Sequence, residues 1–236
     1  MEAFVSALKS EAYGDLDVSE HVIDSGGWMD PSFVSVFTDA VSARDRARDL
    51  QVIEVGSWKG RSALAMAGAC RAGGFARFTI VAVDTWLGAP EFWTWGLSDP
   101  TRGVALKRVG GYPTVFRTFT SNAKKAGFGD HIAPFPISSV QGADVLKHYG
   151  CRADVIYLDA AHEYEAVIAD LRAYLPLLAP DGVLLGDDYM PNWPGVVRAV
   201  DEIAAAEGLR LDVTGVVWKL TWVAKPPTTP LSDGHV

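Results

Sequence analysis

Residues 51–62 read QVIEVGSWKGRS: an apolar, β-branched run carrying an acid at Glu54, then Gly56 and Gly60, before the helix-like RSALAMAGACRAG begins at Arg61. Strand, glycine turn and helix in that order make the first half of a βαβ unit. One helix further on, FTIVAVD (78–84) is again apolar and ends on Asp84, which predicts a parallel neighbour for the first strand. The rhythm continues through a predicted helix over 114–126, a strand at HIAPFPI (131–137), a helix at GADVLKHY (142–149) and the strand ADVIYLD (153–159). A long helix over 163–178, the strand GVLLGDD (182–188) and a helix over 196–207 follow. Strands and helices alternating at this length predict an α/β fold, a doubly wound Rossmann-like parallel sheet with helices on both faces.

The last two strand-like runs, LRLDVTGV (209–216) and WKLTWVAK (218–225), have no helix between them. They are therefore expected to form an antiparallel hairpin, which an ordinary dinucleotide-binding sheet lacks. Residues 85–112 hold three tryptophans with several Gly and Pro and no clean period, so they read as an insertion over the sheet edge. Together with the turn 189–193 the insertion is expected to form an aromatic lid, with Trp58, Trp86, Phe92, Trp93, Trp95 and Trp193 as its candidate rings. Residues 1–50 contain helix-like pieces such as PSFVSVFTDAV (31–41) and read as a helical cap over the active site or a contact in a homo-oligomer.

The 236 residues, 49% of them apolar, suffice for one domain with a modest insertion. The net charge is −8 and the 21 basic residues form no runs, so nucleic acid is not an expected partner. No stretch of 18 apolar residues suggests a membrane span, and no basic region followed by an apolar core marks the start, so the expected location is cytoplasmic. Cys70 and Cys151 have no ligand-like spacing around them, which argues against a disulfide framework or zinc.

In an open parallel sheet, ligands bind beyond the carboxyl ends of the strands near the point where strand order reverses. Those ends are acidic here: Glu54, Asp84, Asp159, and the pair Asp187 and Asp188. The turn at Gly56 and Gly60 lets backbone approach a ligand, and Asp84 is placed to accept the two hydroxyls of a ribose. That combination suits adenosine-containing cofactors generally, NAD included. Asp159, Asp187 and Asp188 would repel one another without a cation between them, and an all-oxygen set points to Mg²⁺, Mn²⁺ or Ca²⁺. His162, three residues past Asp159, could face the same pocket as a base near neutral pH.

The segments IEVGSWKGRSAL (53–64), ADVIYLDAAHEYEAVIADL (153–171) and PDGVLLGDDY (180–189) together resemble the metal-dependent O-methyltransferase branch of the class I S-adenosylmethionine-dependent methyltransferases. The chain is similar to catechol O-methyltransferase in its glycine turn and acid spacing. In having two aspartates after the fifth strand it is similar to the sugar O-methyltransferases of macrolide and aminocoumarin biosynthesis. The resemblance implies that Glu54, Gly56, Ser57, Trp58 and Ser62 surround the methionine part of S-adenosyl-L-methionine. It implies that Asp84, with Thr85 and Trp86, takes the ribose, and that Ser138 and Ser139 meet the adenine. Asp159, with Ala160 beside it, would border the cofactor, and Asp159, Asp187 and Asp188 would hold Mg²⁺ or Mn²⁺. His162 falls on the general-base position, where the catechol enzymes have lysine. The implied activity is methyl transfer to a hydroxyl of a small acceptor: a sugar, a polyketide or another natural product. An NAD-dependent oxidoreductase, or an inactive binding module on the same fold, remains open at this point.

Overall fold

The structure, a computed structural model, describes residues 1–24, 26–94 and 106–223. Its centre is a seven-stranded sheet built from β1 (Leu50–Val55), β2 (Phe78–Asp84), β5 (Ile132–Pro136), β6 (Ala153–Leu158), β7 (Leu178–Gly186), β8 (Leu209–Thr214) and β9 (Val217–Trp222). Their order is β5-β2-β1-β6-β7-β9-β8. The first five run parallel, and β9 pairs antiparallel with both β7 and β8. The predicted final hairpin is therefore present. Strand order reverses between β1 and β6, which puts the crevice at Val55, Leu158 and the turns that follow them.

Period-two alternation sorts the strand side chains into two cores. On one face Val52, Ile80, Val155, Tyr157 and Leu185 pack against α2 (Phe33–Ser42), α3 (Arg61–Ala72) and α5 (Val115–Lys125). On the other, Ile53, Val55, Val83, Ile156 and Leu184 meet α6 (Ser139–His148), α7 (Tyr164–Tyr174) and α8 (Pro194–Glu207), with α1 (Glu2–Tyr13) closing the β5 edge.

Two boundaries differ from the sequence reading. The helix expected to run to Leu178 ends at Tyr174, passes through a 3₁₀ turn at Leu175–Leu177, and β7 already begins at Leu178. Pro176 accounts for this, since it can donate no backbone hydrogen bond and clashes with a preceding helical turn. The insertion contains a short helix α4 (Pro90–Thr94) and a two-stranded ribbon of β3 (Arg108–Val109) and β4 (Tyr112–Pro113). Trp95 and the C-terminal tail lie outside the described residues. No helix among the described residues is long and apolar enough to cross a membrane.

At the crevice, Asp159 N–H donates to the Val55 carbonyl (2.8 Å), and Gly56 N–H donates to Val83 (2.9 Å). These bonds draw three strand ends so close that a Cβ on Gly56 would stand 1.9 Å from the Asp159 carbonyl oxygen. Gly56 also has φ +87°, a region that L side chains rarely occupy. Gly56→Ala is therefore expected to destabilise the protein by about 2 to 5 kcal/mol, combining backbone strain with overpacking. Urea unfolding measures this, and a loss below about 1 kcal/mol would show that the strand ends can separate without cost.

Candidate active site

The glycine turn is shaped by one carboxylate. After β1 the chain passes through three positive-φ residues, Gly56, Trp58 (φ +45°) and Gly60 (φ +88°), so the backbone N–H groups of Ser57 and Trp58 face β2. Asp84 Oδ2 accepts from both, at 2.9 and 2.8 Å, while Oδ1 accepts from the Trp86 N–H at 2.7 Å. The residue expected to read a ribose thus also holds the turn, and its remaining lone pairs are what it could offer a ligand. Thr85 lies exposed beside it, its hydroxyl accepting from Leu87 N–H. Trp86 contributes only backbone here: its ring is 2% exposed, packs against Phe116 and Phe119, and donates its indole N–H to the Trp58 carbonyl. The Trp86 ring belongs to the core and not to a ligand pocket.

Beneath the turn, Glu54 is fully buried. Its Oε1 accepts from the Ser62 hydroxyl at 2.6 Å, but Oε2 and the nearby Ser57 hydroxyl make no hydrogen bond of normal geometry among the described residues. Burial pushes the Glu54 carboxyl up to about 7. A desolvated carboxylate with an idle oxygen is suited to a ligand bearing a cation or a donor.

Across the crevice, β6 and β7 deliver the acidic cluster. Asp188 has φ +64°, a left-handed conformation that turns its carboxylate back toward His162. His162 Nε2 lies 2.8 Å from Asp188 Oδ2, and its ring stacks on Trp193 with centroids 4.1 Å apart. Ligand-type atoms of Asp159, His162 and Asp188 all fall within 4.8 Å of one another, the only such group among the described residues. Asp187 stands outside that group. Its Oδ1 accepts from Asp188 N–H (2.8 Å) and its Oδ2 from the Tyr157 hydroxyl (3.2 Å). His162 thus stands within reach of Asp159 and Asp188, while Asp187 lies outside that 4.8 Å grouping and lines the same cleft.

The electrostatics follow from burial. Desolvation, then the charges of Asp187 and Asp188, push Asp159 up to about 8, and desolvation raises Asp187 too. The hydrogen bond to Asp188 raises His162, favouring imidazolium. Tyr157 is pushed well above the usual phenol range and keeps its proton as a donor. A divalent cation fits this donor set: hard oxygen atoms, crowded negative charge, and no Lys or Arg in salt bridge with Asp159 or Asp187 among the described residues.

Ser138 and Ser139 stand at the start of α6, next to Asp84, whose carbonyl accepts from Ile137 N–H at 3.1 Å. Ser138 pairs with Gln141 (2.8 Å). The Ser139 hydroxyl donates to Asp170, a buried carboxylate that desolvation pushes up to about 6. Ala160, Asp170 and Val196 line the same cleft as Asp159, His162 and Asp188.

Three residues escape a sequence reading. Tyr157 could have been found, because it sits two residues before Asp159 on one strand face. Asp170 carries a weaker signal, an acid on the apolar face of α7 formed by Val167, Leu171 and Tyr174. Asn122 carries none. This fully buried amide accepts from Asp24 N–H and His21 Nε2 and donates to the carbonyls of Asp24 and Lys59, at 2.8 to 2.9 Å. It thereby pins the 21–24 segment onto the glycine turn. Lys59 to Asp24 (2.8 Å) and Arg61 to the Gly27 carbonyl (2.7 Å) reinforce the contact, and Trp28, Phe92 and Trp58 stack above it. Residues of the 21–28 segment therefore lie against the glycine turn. From the insertion, Phe92 joins this stack, while Trp93 is partly exposed under the Arg108 guanidinium.

No curated protein matches this sequence. Among solved structures, the chain superposes on the O-methyltransferase NovP with a TM-score of 0.58 at 16% identity, covering 94% of this chain and 99% of that one. It is similar to the calicheamicin methyltransferase CalS11, with a TM-score of 0.53 and 17% identity over 81% and 77% of the two chains. It is also similar to the O-methyltransferase TomG from Streptomyces achromogenes in complex with SAM, with a TM-score of 0.56 and 14% identity over 92% and 89%. Identities this low establish a shared fold, the Rossmann-like sheet with its antiparallel ending. Residues 53–189, more than half of the chain and the stretch that carries Glu54, Asp84, Asp159, His162, Asp187 and Asp188, match the family described as a methyltransferase domain, and the protein belongs to that family.

Proposed function

We propose that the protein is an S-adenosylmethionine-dependent O-methyltransferase that uses a divalent metal and acts on a hydroxyl of a small natural-product acceptor, such as a sugar or polyketide. The observation that carries this reading is the pairing of Glu54, with its idle buried oxygen under the glycine turn, and the uncompensated acids across the same crevice. One half is suited to a cationic cofactor and the other to a hard cation. The acceptor class draws support from CalS11, a TDP-rhamnose 3'-O-methyltransferase of calicheamicin biosynthesis, and from TomG, which belongs to tomaymycin synthesis.

S-adenosylmethionine supplies a sulfonium methyl, and the reaction needs an oxygen nucleophile held in line with it. Asp84 and the turn N–H groups it fixes hold the ribose side, Glu54 and Ser57 face the methionine side, and Ser138 and Ser139 the adenine. Asp159, Asp187 and Asp188 would hold Mg²⁺ or Mn²⁺, which when bound acidifies and orients a hydroxyl. His162 is fixed against Trp193 with its Nε2–H directed at Asp188, so the departing proton would be taken up at its other ring nitrogen, Nδ1, and Asp188 would stabilise the imidazolium. Trp193 and the partly exposed rings of the insertion shield the acceptor from water.

Three outcomes follow. Calorimetry should detect binding of S-adenosylhomocysteine and not of NAD, and EDTA should abolish methyl transfer to hydroxylated acceptors until Mg²⁺ or Mn²⁺ is restored. Full turnover in metal-free protein would remove the metal from the mechanism. His162→Ala should lower kcat by about 10²- to 10⁴-fold with cofactor affinity nearly unchanged, and a kcat within about threefold of wild type would assign the proton to another acceptor. Glu54 offers an independent check through pH. Its folded pKa of about 7 lies above the unfolded value of 4.5, so the folded state holds the proton more tightly and stability is lost as pH rises from 4.5 through about 7. The loss is on the order of 3 kcal/mol. Glu54→Gln should remove that part of the pH slope in ligand-free urea unfolding while weakening S-adenosylhomocysteine binding, whereas an unchanged slope would mean that Glu54 keeps its charge when buried.

A further inference from the structure

We propose that Tyr157 is a positioning residue for the metal site, a single buried phenol that sets the separation and rotamers of the Asp159 and Asp187 carboxylates from the core side. The inference rests on the metal reading above and deepens it. Tyr157 is wholly buried, and its hydroxyl lies 3.1 Å from Asp159 Oδ2 and 3.2 Å from Asp187 Oδ2. One O–H has one proton, so the two near-equal distances describe a donor shared between two acceptors on adjacent strands. The hydroxyl has no other recorded partner among the described residues.

Packing alone does not call for that oxygen. The Tyr157 ring lies in the apolar core against Phe33, with centroids 4.4 Å apart, and phenylalanine would fill the same space. Strand alternation explains the aim of the hydroxyl: positions 157 and 159 share a face, so a side chain as long as tyrosine reaches the carboxylate two residues ahead. The same reach carries it to the end of β7, where Asp187 is held on its other oxygen by Asp188 N–H. Two carboxylates brought together on strand ends repel, and each would swing toward water if nothing restrained it. The phenol restrains both with a neutral donor, so it adds no positive charge that would compete with a cation. Outer donors of this kind fix ligand orientation, and losing one typically weakens metal binding by about 10- to 100-fold. The N-terminal segment joins in from below, through Phe33 on the ring.

The test is Tyr157→Phe in the full chain, with Mn²⁺ as the probe. Free Mn²⁺ is followed by electron paramagnetic resonance during titration, S-adenosylhomocysteine affinity is measured in EDTA, and melting is recorded with and without Mn²⁺. The variant should bind Mn²⁺ about 10- to 100-fold more weakly. Its cofactor affinity in EDTA should stay within about twofold of wild type, and the rise in Tm on adding Mn²⁺ should shrink accordingly. Retained cofactor binding shows that the variant is folded, which a merely structural role would also permit. If the Mn²⁺ affinities are equal, Tyr157 has no part in positioning, whatever happens to the baseline Tm. If the wild-type protein itself binds no Mn²⁺ while still binding S-adenosylhomocysteine, the metal reading fails and takes this inference with it.

Discussion

Acidic groups placed inside the fold without a matching cation are the condition from which the rest of the structure follows. Glu54 and Asp187 are buried, and Asp159 half-buried, at the ends of parallel strands, where little water is left to stabilise a carboxylate. A protein selected only for stability would place apolar residues there, because uncompensated burial of a charge costs several kcal/mol per group. The fold instead spends its nearby donors on holding these groups in place: Ser62 for Glu54, Tyr157 for Asp159 and Asp187, Asp188 N–H for Asp187. These are neutral hydrogen-bond donors. They orient the acids without supplying a cation.

The glycine turn answers the same condition from the other side of the crevice. Three backbone N–H groups converge on Asp84, so that one acid is satisfied by the main chain. The turn can do this because positive φ at Gly56, Trp58 and Gly60 swings successive amides to one side. Trp58 adopts such a conformation without being glycine, a local cost tolerated where the surroundings hold it. The indole of Trp86 supplies part of that hold by donating to the Trp58 carbonyl from within the core.

The sheet was legible in the sequence because each parallel strand carries a mostly apolar run, and because Gly and Pro punctuate the turns. The antiparallel ending was legible from the missing helix between LRLDVTGV and WKLTWVAK. Acids at strand ends were legible for the same topological reason. What one dimension could not show is how a side chain divides its contacts. Asp84 looks like a free ligand-binding acid and proves to be a turn organiser as well. Asp187 and Asp188 are neighbours in sequence, yet with a left-handed backbone at Asp188 one accepts from the Tyr157 hydroxyl and the other meets His162, both at the same cleft. Pro176 was visible, but an apolar periodicity running through it masked the change from helix to strand. Asn122 is one polar residue in an amphipathic helix, and its four partners come from segments about 60 and 100 residues away.

That asparagine has a consequence for how the molecule could diversify. Segments that select an acceptor are often exchangeable when they touch the conserved machinery only through apolar, adaptable contacts. Here the 21–24 stretch is keyed to Lys59 of the glycine turn by a directional amide with every donor and acceptor used. A foreign cap grafted onto this sheet would leave Asn122 buried with its hydrogen bonds unmade, and the cofactor turn would register the loss directly. The 21–24 segment and the turn thus form one hydrogen-bonded unit, so that a change in either is felt by the other.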